Sequence, residues 1–480
     1  MAQVSKPNVL LLMGDEHPVF MSGCYGHRTV KTPTIDRLAQ SGVIFDAAYC
    51  PSPICSASRA AMLTGRHVHT IESWDNSSPL RSDWPTFAHS FRAAGYHTVL
   101  CGKMHFVGPD QLHGFEHRWT PDIYPTDFRW TRLNRARTAY NEGQNIDRVM
   151  EAGEGWTSDM TYDEMTLHRA LAGMRQLADR PDKPFMLCVS FTSPHWPFCA
   201  PQSYLDLYDE NDIDLPIIPP DYLEREHEYV KWLRIHGEFN RLVPDAVCRK
   251  ARRAVMARIS MLDEYLAKIL ARLKELCLDQ NTIVAYASDH GDMMGEHGLW
   301  FKNASFDWSS RVPLILAGPG VMGRGRRIGE VVSLLDLGPT LSGLAGIEPI
   351  YPVSDGRNLT DLVAGKRTEN EGLAIMENYG EGMWRGLRMI RKGRYKLNVT
   401  HGTKPELFDL VTDPGEWTNR AEDPTLAQVR HELEEIAYKN WDPAVLDERR
   451  WQSEERRKAI NTVMKGNCGW PSVWVPETLT

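Results

Sequence analysis

The sequence predicts an α/β fold: a large, mostly parallel sheet flanked by helices, followed by a smaller α+β part. Three observations carry this. A short apolar run, Asn8 to Met13, stops abruptly at Gly14-Asp15-Glu16-His17, the pattern of a buried parallel strand that delivers polar residues at its carboxyl end. Helical and extended patterns then alternate as far as about residue 290, as repeated βα units do. After about Pro349 the pattern changes to short segments broken by glycine and proline, which suits a small antiparallel sheet.

Taken in order, Thr32-Pro33 opens a helix that runs through Ile35 and Leu38 to Gly42, with proline in the first turn and glycine at the end. Val43 to Tyr49 reads as the next strand. A helix from about Thr86 to Ala94 is closed by Gly95, and strands follow at His97 to Cys101 and Phe185 to Phe191. The span from Arg118 to about Glu164 is rich in Trp, Tyr, Asp and Arg and shows little periodicity, so it reads as long excursions over the sheet edge. Val255, Ile259, Leu262, Leu266, Ile269, Leu273 and Leu276 recur every three or four residues, marking a long amphipathic helix within Val247 to Leu278. Thr282 to Ala287 is the buried strand after it. Leu387 to Met389, Tyr395 to Asn398 and Leu407 to Leu410 are the short segments of the smaller part, and a charged helical tail follows. The expected division is a catalytic domain over 1–365 and a smaller subdomain over 366–480.

With 480 residues, 42% hydrophobic and 25% charged, the composition is that of a folded globular chain. A net charge of −8 argues against a general binder of nucleic acid or anionic membranes. No run of about twenty apolar residues exists to span a bilayer, and Val9 to Met13 is too short for a signal peptide. The expected compartment is the cytoplasm. Nine scattered cysteines make no metal-type pairs and are expected to be mostly free thiols.

Three strand ends concentrate chemistry. Asp15 and Glu16 follow the first strand, and Asp289 and His290 follow Thr282 to Ala287. Three carboxylates and an imidazole suit a hard divalent cation, calcium first, with manganese or magnesium as alternatives. Either pair alone would equally suit the capping of a following helix. The third element is Cys55 at the start of a short helix with Arg59 one turn on, where free backbone N–H groups favour negative charge. A small buried thiol beside an unrelated ion pair is the plainer reading.

Cys55 to Gly65, with Arg59, Leu63 and Thr64 in place, resembles the signature of the sulfatases, and Gly102-Lys103-Met104-His105 resembles that family's second signature. Asp15, Ser193-Pro194-His195, Ser288-Asp289-His290-Gly291 and Lys302 occur in the family's order over nearly the whole chain. The resemblance implies an alkaline-phosphatase-like α/β fold and a formylglycine made from Cys55 by a maturation enzyme. It also implies metal ligands Asp15, Glu16, Asp289, His290 and residue 55. In that chemistry one hydroxyl of the hydrated aldehyde, assisted by Arg59, attacks sulfur, and His105 removes the proton of the other. Lys103, Lys302, Asn76 and His195 match the sulfate clamp, with His195 or Lys302 protonating the leaving oxygen. Alone, each lysine could be solvated, Asn76 could cap a turn and His195 could be an ordinary loop residue. Two positions depart from the pattern: Ala57 replaces the usual proline, as the radical-type maturation system accepts, and Glu16 stands where many members have Asp, Gln or Asn.

Within the family, Lys31-Thr32-Pro33, Trp74-Asp75-Asn76, Gly102 to Phe115, Asp122 to Pro125 with Asp127-Phe128, and Gly291 to Trp300 look closest to the choline sulfatases. Choline O-sulfate is then the first substrate, with aryl sulfates and phosphonate mono- or phosphodiesters as alternatives. A quaternary ammonium cannot donate hydrogen bonds and needs aromatic faces and a carboxylate. Tyr124, Asp127 and Trp130 are placed to supply them, and Glu377 resembles a choline-site glutamate. The tail from Leu446 to Trp474, with Trp470 and Trp474, reads either as a solvated helix or as an arm on a neighbouring subunit; the expected state is a homo-oligomer, dimer or tetramer.

Overall fold

In the computed structural model, which describes residues 6–136, 143–366 and 372–464, eight strands form one sheet. In chain order they are β1 (Asn8–Asp15), β2 (Val43–Tyr49), β3 (His97–Gly102), β4 (His117–Arg118), β5 (Phe185–Pro194), β6 (Thr282–Ser288), β7 (Leu314–Ala317) and β8 (Arg326–Ser333). Their spatial order is β8-β2-β7-β6-β1-β5-β3-β4. All neighbours are parallel except β7, which runs antiparallel to both β2 and β6. β1 is central, pairing Val9 with Met186 of β5 and Asn8 with Thr282 of β6, and all eight of its residues are buried. A strand covered on both faces must be apolar throughout, which is why Asn8 to Met13 shows no alternation.

One face of the sheet is covered by α1 (Pro33–Ser41), α4 (Ser158–Ala178) and α5 (Asp245–Glu275), with Leu262, Leu266 and Ile269 of α5 fully buried against β1 and β5. Each such side chain contributes about 1.5–3 kcal/mol. α2 (Cys55–Thr64) and α3 (Phe87–Ala93) lie on the other side. The helix α4 cuts short the excursion expected to run to Glu164. Its first turns point Asp159 and Asp163 inward, both buried, so the apolar period is broken where the helix begins. Those carboxylates have a use: Asp163 accepts from Thr192 N, 2.6 Å, and Ser193 N, 2.8 Å, fixing the end of β5.

A second, antiparallel sheet contains β9 (Leu373–Asn378), β10 (Leu387–Lys392), β11 (Tyr395–Thr400) and β12 (Glu406–Asp409). The sequence reading found the last three and missed β9. The helices α6 (Ala427–Tyr438) and α7 (Pro443–Met464) follow; Trp470 and Trp474 lie outside the described residues. The tail is expected either as a solvated helix or as an arm on a neighbour; α7 is not a fully solvated helix, since it buries Asp447, Arg450, Glu454 and Arg457 against its own chain. No helix among the described residues is long and apolar enough to cross a membrane.

Candidate active site

The carboxyl ends of β1, β3, β5 and β6 meet the amino end of α2, the place where parallel sheets collect polar side chains. β1 delivers Asp15, β6 delivers Asp289 and His290, and Cys55 is the first residue of α2. One ligand atom from each of these four residues lies within 4.8 Å of the others, and all four are buried. Arg59, one turn along α2, donates to Asp289 Oδ2 at 2.7 Å, to Lys103 O at 2.8 Å and to Ser190 Oγ at 2.8 Å. It therefore braces the cluster. Asn76 Oδ1 accepts from Ser56 N at 3.1 Å, capping the first turn of α2 beside Cys55.

β3 ends at Gly102 with φ +98°, and a Cβ there would fall 1.9 Å from Ser190 O. Only glycine lets Lys103 N reach Ser190 O, at 2.9 Å, and so swings the lysine inward. Lys103 Nζ donates to Asp15 Oδ2 and sits 4.3 Å from the Tyr124 ring centroid. Lys302 Nζ donates to Cys55 Sγ at 3.2 Å and to Glu16 Oε2 at 3.1 Å, and lies 3.1 Å from His195 Nε2.

These contacts set the charges. Burial opposes ionisation of the Cys55 thiol, yet Lys103, Lys302 and His290 together pull it well below its ordinary value. Burial and then the Lys302 charge push His195 down to about 3, leaving it neutral near pH 7. Burial also works against a charged Lys302, but Cys55 and Glu16 outweigh it and raise its pKa. Lys302 is thus a charged ammonium beside a neutral imidazole.

His105 has φ +62°, its N–H donates to Asp122 Oδ2 at 2.7 Å, and its ring stands 5.0 Å from Tyr124 and 5.7 Å from Trp130. Tyr124 Oη is 3.1 Å from His195 Nδ1, and Trp130, 40% exposed, forms the outer wall.

Three expected roles meet a different placement. Glu16 is outside the four-residue cluster: with φ +65° its side chain turns to Lys302 and to His195, 3.2 Å away. Asp127 caps a short turn and is gripped by Arg129, with bonds from Nε at 2.8 and 3.1 Å and from Nη2 at 2.6 Å. Glu377 on β9 is fully buried and held by His69 Nδ1 at 2.8 Å and Arg388 Nε at 3.2 Å. The acid four residues on, Glu381, lies on the loop after β9; burial raises its pKa above the usual value, opposed first by Arg132 and more weakly by Lys302. Its signal was available: Gly380-Glu381-Gly382 puts a carboxylate on a loop tip, whereas Glu377 falls inside a strand. Gln144 was also missed. With its amide oriented to satisfy both partners, it accepts from Lys302 Nζ at 3.2 Å and Trp196 Nε1 at 3.1 Å. No local pattern marked it.

The Glu377 geometry yields an expected result. Burial opposes its charge, but His69 and Arg388 hold its pKa down at about 2, from 4.5. That stability is fully present above pH 4.5 and is lost as pH falls toward 2. Glu377→Gln should therefore lose about 3 kcal/mol at pH 7, with the deficit shrinking below pH 4.5 and KM unchanged. Denaturant unfolding across pH, with kinetics at pH 7, measures both; a raised KM would return Glu377 to the substrate site.

Comparison with known proteins fits this geometry. A family described as Sulfatase matches residues 7–347, and one described as N-sulphoglucosamine sulphohydrolase, C-terminal, matches residues 295–440. The chain is 35% identical to a choline-sulfatase of Rhizobium meliloti strain 1021, over 97% of this chain and 93% of that one. It is 30% identical to an arylsulfatase of Clostridium perfringens, over 86% and 90%. The phosphonate monoester hydrolase of Agrobacterium radiobacter has a similar structure, with a TM-score of 0.74 and 25% identity over 90% and 94% of the chains.

Proposed function

This chain belongs to the sulfatase family and is a sulfuric ester hydrolase, and from that premise we propose that its substrate is the sulfate ester of a small organic cation, choline O-sulfate first, cleaved with a formylglycine made from Cys55 and one divalent cation. The observation that carries the chemistry is the convergence of Asp15, Cys55, Asp289 and His290 on one point.

The residues fit a hard cation. Asp15 Oδ1 is buried with no hydrogen-bond partner among the described residues, and two carboxylates with an imidazole form a mixed oxygen and nitrogen donor set. Asp15, Asp289, His290 and residue 55 would hold the ion, which when bound supplies charge neutralisation at the nonbridging sulfate oxygens. Formylglycine at position 55 would supply a hydroxyl nucleophile. A maturation enzyme that tolerates Ala57 is the partner this requires.

The chain's own side chains do the rest. Arg59 keeps Asp289 in register. Lys103 and Lys302 flank residue 55 from two sides and offset charge on the sulfate. Lys302 carries the proton that the departing alkoxide needs, and His195, being neutral, orients the ammonium. His105 would take a proton at residue 55. On the alcohol side Tyr124 and Trp130, 5.3 Å apart, offer aromatic faces to a quaternary ammonium, and Glu381 offers the carboxylate.

The likeness to a phosphonate monoester hydrolase favours one second reading, a phosphorus ester on the same scaffold. Turnover of choline O-sulfate, 4-nitrophenyl sulfate and a phenyl phosphonate monoester separates the two. The expected order of kcat/KM places choline O-sulfate first; a higher value for the phosphonate ester would overturn the proposal.

A further inference from the structure

The helix α7 presents an unusual buried face. Asp447, Arg450, Glu454 and Arg457, spaced three, four and three residues apart, are at most 4% exposed, so one stripe of the helix is charged where an ordinary packed helix is apolar. Between them the four hold three loops. Asp447 accepts from Gly386 N at 2.8 Å and pairs with His401 Nδ1 at 2.7 Å. Arg450 donates to Tyr379 O, to Met383 O at 2.9 Å and to Trp384 O at 2.9 Å, spanning the loop that carries Glu381. Glu454 takes both Asn134 N and Asn134 Nδ2 at 2.8 Å, on the segment that follows Trp130. Arg457 forks Asp75 with bonds of 2.8 and 2.7 Å and reaches Thr131 Oγ1 at 3.4 Å.

The three loops also touch one another. Thr131 Oγ1 donates to Ser77 Oγ at 3.1 Å, and a Cβ on Gly380 would lie 2.7 Å from Asp75 Cβ. Buried ion pairs of this kind contribute little net stability compared with apolar packing, and their attested use is to fix register. None of the four stripe residues reaches the metal cluster. What they share is the rim of the alcohol side: Glu381, Trp130 and the Asp75-Asn76 loop.

We propose that α7 is the specificity frame of the enzyme, with Arg450, Glu454 and Arg457 acting as positioning residues that set where Trp130 and Glu381 stand and hence which alcohol the site accepts. This rests on the sulfate-ester reading above and adds to it the part of the chain that selects the leaving group. The sulfate end, fixed by strand ends and α2, is independent of this frame except through the Asp75-Asn76 loop.

The test uses the full-length enzyme with two esters that share sulfate and differ in alcohol, choline O-sulfate and 4-nitrophenyl sulfate. For Arg457→Met and Glu454→Gln the expected result is a KM for choline O-sulfate raised at least about tenfold, because misplacing a positioning group by about 1 Å is felt strongly in binding geometry. For Glu454→Gln both kinetic constants for the aryl ester should stay within about threefold; Arg457→Met, which also frees the Asp75-Asn76 loop that caps α2 beside Cys55, should lose several-fold more on choline O-sulfate than on the aryl ester, and Arg457→Lys should recover part of the KM. Equal losses on both esters, or no change on either, would overturn the frame. Should Arg457→Met fail to fold, Arg457→Lys and Glu454→Gln decide by the same split. A wild-type enzyme that cleaves only the aryl ester would overturn the organic-cation reading, and this proposal with it.

Discussion

Replacing Cys55 by alanine is expected to reduce turnover by about 10⁴-fold or more, the scale on which removal of an essential nucleophile acts. The residue is 1% exposed and opens α2, so alanine keeps the helix and removes only the reacting atom. The fold should survive with little change in melting temperature. The same position offers a test by mass. In the active enzyme the peptide spanning residue 55 should be lighter than its thiol form, because the proposed aldehyde lacks sulfur. Unchanged turnover in Cys55→Ala would leave the cluster of Asp15, Asp289 and His290 without an attacking group and end the proposed mechanism.

Lys302→Ala is expected to show the next largest effect, and an unequal one. The ammonium contacts Cys55, Glu16 and His195, and His195 is neutral near pH 7, so the mobile proton resides on the lysine. An alkyl alkoxide such as that of choline is a poor leaving group and needs this proton, whereas 4-nitrophenolate departs readily without it. Loss of a general acid costs typically 10²–10⁴-fold, so kcat should fall about 10³-fold on choline O-sulfate and only about tenfold on 4-nitrophenyl sulfate. An equal fall on both would make Lys302 a sulfate clamp and not the acid.

The sequence made legible those features that obey a local rule. β1 runs two residues past the apolar stretch, to Asp15, and β6 ends just before Asp289, so the cluster could be assigned to strand ends before any geometry was known. α2 is framed by Cys55 and Gly65, which adopts φ +66° at its end. Legibility failed where a long-range partner decides the role. Glu377 and Glu381 are equally acidic, and only the pairing of β9 with β10, which sets Glu377 opposite Arg388, tells the buried strand acid from the loop acid. Glu16 looked like a ligand by adjacency to Asp15, yet its carboxylate pairs with Lys302 and His195 at the edge of the four-residue cluster. In α7 the charges occur on every face of Asp447 to Lys458; the 3-4-3 spacing of its buried members emerges only once their partners at residues 75, 134 and 379–386 are known.

The order of strands has a consequence for synthesis. β1 is made first, yet its two edges must wait for residues 185–194 and 282–288. At about 5–20 residues per second that delay amounts to some tens of seconds, during which the apolar Val9–Met13 stretch of β1 has no partner on either side. Pairing across such separations carries a large loop-closure cost and forms late. The nascent chain should therefore depend on chaperones through this interval and refold slowly from denaturant, with aggregation rising steeply with protein concentration.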